Sequence, residues 1–81
     1  MASKKKLTAG QKNILGLIKN ATGGRFLTIP EMILEWVKIQ HNPKYVECVY
    51  EDLFNTATGR HEGNKFEKDA VAKIFELQSN Q

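Results

Sequence analysis

The chain of 81 residues holds one cysteine, one tryptophan and two prolines, and each scarcity excludes something. A lone thiol, Cys48, rules out an internal disulfide framework and fits a reducing compartment. Every apolar tract is interrupted by charge within a few residues, so neither a secretory leader nor a membrane span is expected, and the protein is read as intracellular and cytoplasmic. No internal repeat and no low-complexity segment occurs. A chain of this length buries only about 60 to 65% of the surface its unfolded form exposes. Its core is therefore expected to rest on Trp36 and the four phenylalanines, with no volume left for a deep substrate cleft.

The chemistry of catalysis is also missing. No nucleophile stands with a base and no pair of opposed carboxylates is legible, so an enzyme is not expected. His41, Cys48 and His61 lack zinc-site spacing, and Cys48 is read as a buried structural thiol on the edge of an apolar face. The glycine-rich stretch Gly59 to Gly63 joins two helical segments like a calcium loop, yet from Asp52 or Asn55 the third position is apolar, where an oxygen ligand is required. No glycine run supplies a phosphate-cradling lysine in frame. Neither metal nor cofactor is expected.

Acid is absent from residues 1–30, which carry Lys4, Lys5, Lys6, Lys12, Lys19 and Arg25. The remaining 51 residues hold six basic and nine acidic side chains, which places a net +6 ahead of a net −3. Such asymmetry favours encounter with nucleic acid or an acidic protein surface and says nothing about fold.

What the sequence does contain is helix punctuation. Thr8-x-x-Gln11, Thr28-Ile29-Pro30-Glu31 and Asn64-x-x-Glu67 each spell a capping box, with Pro30 suited to a first turn and Leu27 placed to staple onto Met32. Gly23 and Gly59 supply stops, and Asn42-Pro43 forms a corner. Four helices follow, at about 8–21, 29–40, 43–58 and 64–78, behind a disordered basic tail of residues 1–7, with residues 8–81 a single all-α domain. Their apolar stripes are Ile14, Leu15, Leu17, Ile18 and Ala21; Ile29, Met32, Ile33, Trp36, Val37 and Ile39; Val46, Val49, Tyr50, Leu53, Phe54 and Ala57; and Phe66, Ala70, Val71, Ile74, Phe75 and Leu77. The second helix is apolar over more than half its circumference and is expected to organise the core, while Phe26 is expected to anchor the loop before it. A winged-helix α+β arrangement is the alternative, with a short extended piece at residues 25–29.

Two kinds of surface are candidates for binding. The basic set comprises Lys4, Lys5 and Lys6, the outer face of the first helix with Lys12, Gly16 and Lys19, then Arg25, and finally Arg60, His61 and Lys65 of the last loop. An interior helical glycine such as Gly16 costs about 1 kcal/mol against alanine, which invites a reason such as close approach by a phosphate or a partner helix. The acidic set, Glu47, Glu51 and Asp52, lies on the third helix and suits a basic partner. It also opposes a helix-turn-helix reading, because carboxylates on a recognition helix repel the duplex. The expected function is that of a small, non-enzymatic regulatory or adaptor protein acting through protein contacts. The alternative is a DNA-binding regulator of helix-turn-helix or winged-helix type that contacts mainly phosphates. The stretch His61-Glu62-Gly63-x-Lys65, with Lys73-Ile74, resembles a segment of the small helical anti-sigma factor of T-even phages. That likeness carries no functional residue across.

Overall fold

A computed structural model describes residues 7–80, and these form four packed helices with no strand among them. The helices are α1 (Ala9–Thr22), α2 (Ile29–Gln40), α3 (Val46–Ala57) and α4 (Lys65–Ser79), and a single 3-10 turn, Pro43–Tyr45, leads into α3. The winged-helix alternative is thereby corrected. Residues 25–28 are irregular and the segment after Gly63 is helical, so no hairpin is available to form a wing.

The punctuation explains the boundaries. Thr8 Oγ1 accepts from the Gln11 amide at 3.2 Å while Gln11 Oε1 accepts from the Thr8 amide at 3.0 Å, and Asn64 and Glu67 exchange the same pair of bonds at 2.8 and 2.9 Å. At α2 the Thr28 amide donates to Glu31 Oε1 at 3.0 Å and the Thr28 hydroxyl donates to the same oxygen at 3.1 Å. Gly23 closes α1 in the left-handed conformation, with φ of 73°. The corner before α3 is tighter than an α-helical start. Asn42 Oδ1 accepts from the Lys44 amide at 2.9 Å, and proline at the first position suits the 3-10 turn that follows.

Helix α2 is the organising element, in contact with α1, α3 and α4. Met32, Ile33 and Val37 are fully enclosed, and with Trp36 they meet Leu15, Ile18, Leu53, Ala70, Val71, Ile74 and Leu77 in one cluster. Leu27, which precedes the Thr28 cap, joins that cluster, and Leu7 packs on its margin.

The phenylalanines do not carry the core. Phe26, Phe66 and Phe75 are 68%, 73% and 43% exposed, and Phe54 packs only on the edge, where it stacks on Tyr50 at a centroid distance of 5.9 Å. In the irregular segment before α2 the fold encloses Leu27 and leaves its neighbour Phe26 exposed. Phe66 lies in the first turn of α4, on the register of Ala70 and Ile74 but at the very end of the helix. Leu17, Ala21 and Ile39, assigned inward by periodicity, are exposed as well. Aliphatic residues from α1, α2 and α4 fill the centre instead.

Candidate partner-binding surfaces

Lys12, Gly16 and Lys19 lie on the open side of α1, all exposed, and neither lysine has an ion-pair partner among the described residues. A Cβ built at Gly16 would have no heavy atom within 4 Å, so nothing in the fold itself requires a glycine there. Lys4, Lys5 and Lys6 lie outside the described residues.

The other cations divide differently. Arg25 is exposed but paired locally, with its guanidinium 2.7 Å from the Glu31 carboxylate. This pair, with the two bonds from Thr28, lowers the Glu31 pKa from its ordinary 4.5 to about 2, and Glu31 in turn raises the Arg25 pKa. Arg25 therefore braces the start of α2.

His61 is also held from within. Thr56 Oγ1 donates to the Asp52 carbonyl at 2.8 Å and lies 2.8 Å from His61 Nε2. The Thr56 hydroxyl thus bridges the α3 backbone and the His61 ring. The Arg60 amide donates to the Asn55 carbonyl at 2.9 Å, so residues 60–61 cap the end of α3. Arg60 and Lys65 remain exposed. Gln11 of α1 donates to Glu76 of α4 at 3.2 Å. The basic set is shared between α1, which carries Lys12 and Lys19, and the connection into α4, which carries Arg60 and Lys65.

The acidic set is brought together as expected on the outer side of α3. Glu47, Glu51 and Asp52 are exposed and, with Lys44 and Cys48, line a shallow depression of about 460 Å³. Cys48 is solvent-exposed, which corrects the buried-thiol reading. It precedes Leu53, the buried centre of the α3 stripe, by five residues, an offset of about 140° around the helix. Lys44 Nζ lies 5.8 Å from the centroid of the exposed Tyr45 ring.

An apolar feature went unrecognised in the sequence. The Gln78 side-chain amide donates to the Leu27 carbonyl at 3.4 Å and ties the end of α4 to the loop before α2. Phe26 adjoins Leu27 in the chain and Phe75 lies one turn before Gln78, so each of the two segments joined by this bond carries an exposed ring. Their periodicity resembles that of core residues, and only the packing distinguishes the two cases.

Among the described residues no group of three or more His, Cys, Asp or Glu is placed to hold a metal, and no helix is long and apolar enough to cross a membrane. No protein-family model, curated protein or solved structure matches the chain.

Proposed function

We propose that this chain is a small, non-enzymatic regulatory or adaptor protein that docks on another protein through the surface around Phe26 and Phe75. The observation that carries this reading is the pair of exposed rings on the two segments that the Gln78–Leu27 hydrogen bond joins. Burying a phenylalanine side chain is worth roughly 1.5 to 3 kcal/mol, and a chain with so small a core forgoes that gain twice at one junction. Aromatic residues are enriched in the centres of protein interfaces, where a partner recovers that burial. The acidic shelf of Glu47, Glu51 and Asp52 supplies a separate electrostatic contact suited to a basic partner.

The test is a comparison of the wild-type chain with the double variant Phe26→Ser and Phe75→Ser. The variant keeps its helical signal and loses the protein that co-purifies with the wild type; equal recovery by both removes this surface from the reading.

A phosphate-contacting DNA binder is the second reading, favoured by the exposed, unpaired Lys12 and Lys19 of α1. A duplex titration across a salt series separates the two. An affinity that falls steeply with salt and collapses on Lys12→Glu and Lys19→Glu supports nucleic acid, whereas no binding at low salt removes it.

A further inference from the structure

A second concavity lies at the junction of α1, α2 and α4, away from the acidic shelf. It is about 350 Å³ in volume and is lined by Ile14 and Trp36 together with Thr8, Gly10, Gln11, Gln40 and Lys73. That volume falls at the lower end of the range of small-molecule sites, roughly 300 to 1,000 Å³.

Its polar groups are mostly uncommitted donors. Trp36 is only 7% exposed and is the sole tryptophan of the chain; its indole N–H bonds to no protein group among the described residues and is open to water, since no enclosed side-chain nitrogen or oxygen is left unpaired. Lys73 makes no ion pair there, even with Asp69 four residues before it, and the Gln40 amide is equally free. Gln11, by contrast, is spent, since its oxygen accepts from the Thr8 amide and its nitrogen donates to Glu76 at 3.2 Å. Glu76 is engaged by that bond and does not line the hollow.

A hollow lined by the apolar Ile14 and Trp36 and by Lys73, which has no ion-pair partner among the described residues, is complementary to a molecule with an apolar body and an anionic end. We propose that this hollow binds a small organic acid of that kind, with its hydrocarbon part against Ile14 and Trp36 and its carboxylate toward Lys73. This is independent of protein docking at Phe26 and Phe75.

Trp36 makes the site self-reporting. Titration of the full chain with 4-phenylbutyrate is expected to shift the Trp36 emission saturably, with half-saturation at about 1 mM for so small a ligand. Lys73→Met is expected to weaken binding about tenfold, and the neutral 4-phenyl-1-butanol to bind about tenfold more weakly than the acid. Gly10→Leu provides a second variant. A Cβ at Gly10 meets only the Thr8 hydroxyl, at 4.0 Å, so the backbone admits a side chain at this lining position, and saturable binding is expected to disappear in the bulkier variant while the helical signal stays. An absence of saturable shift in the wild-type chain, equal affinity for acid and alcohol, or unchanged binding in folded Gly10→Leu would each overturn the proposal.

Discussion

The Arg25 guanidinium lies 2.7 Å from the Glu31 carboxylate, across the loop that joins α1 to α2. Both side chains are partly open to water, 58% and 38% exposed, so solvent screens the pair, yet it fixes Glu31 in the orientation that also receives the Thr28 amide and hydroxyl. A residue assigned from sequence to partner recognition thus serves the start of the helix that organises the core.

A pH dependence follows from that geometry. The Glu31 pKa is depressed from 4.5 to about 2 by Arg25 first and Thr28 second, so its contribution to stability is fully present above pH 4.5 and is lost as pH falls toward 2. Denaturant midpoints of wild type and Glu31→Gln are expected to differ by a constant amount above that window and to converge within it. A difference that persists unchanged through the window would contradict the assignment.

Thr28→Ala removes the hydroxyl bonded to Glu31 and the preferred side chain at the cap of α2. The expected loss is about 1 kcal/mol, which for a domain of this size lowers the melting temperature by about 4 to 8 °C. Calorimetry reads it, and partner affinity at the Phe26–Phe75 surface stays unchanged.

Two loop glycines separate backbone strain from steric contact. Gly59 and Gly63 have φ of 78° and 75°, but a Cβ at Gly59 meets nothing within 4 Å, whereas one at Gly63 comes within 2.9 Å of Thr56. Thr56 is held by Asp52 and His61, so it cannot easily give way. Gly59→Ala is expected to cost about 1 to 2 kcal/mol from the left-handed conformation alone, and Gly63→Ala measurably more in the same denaturant titration.

Gly16 behaves oppositely. It lies inside α1 with open space around it, so Gly16→Ala is expected to stabilise the chain by about 0.5 to 1 kcal/mol. A loss of ligand binding in this more stable variant would show that a partner approaches the backbone there.

The architecture was legible because its signals are local. Thr8, Thr28 and Asn64 sit within three residues of the groups they cap, and Gly23 needs only its own φ. The 3-10 turn at Pro43–Tyr45 was missed because a helix period does not distinguish it from a first α-helical turn. The surfaces were harder because they depend on which of two plausible residues the fold encloses. Leu27 is buried and Phe26 is not; Leu53 is buried and Cys48, about 140° away around the helix, is open. The engagement of His61 with Thr56 is a side-chain event with no compositional trace. The sharing of one hollow by Ile14, Trp36 and Lys73 required the packing of three helices.

The most direct test of protein docking at Phe26 and Phe75 is a photo-crosslinking amino acid placed at position 75 and, as a control, at position 38 of the full chain in its native host. The account predicts one discrete crosslinked polypeptide at position 75, abolished by Phe26→Ser, and none at position 38. Equal crosslinking at both positions, or none at position 75 in a chain shown to be folded, would contradict it.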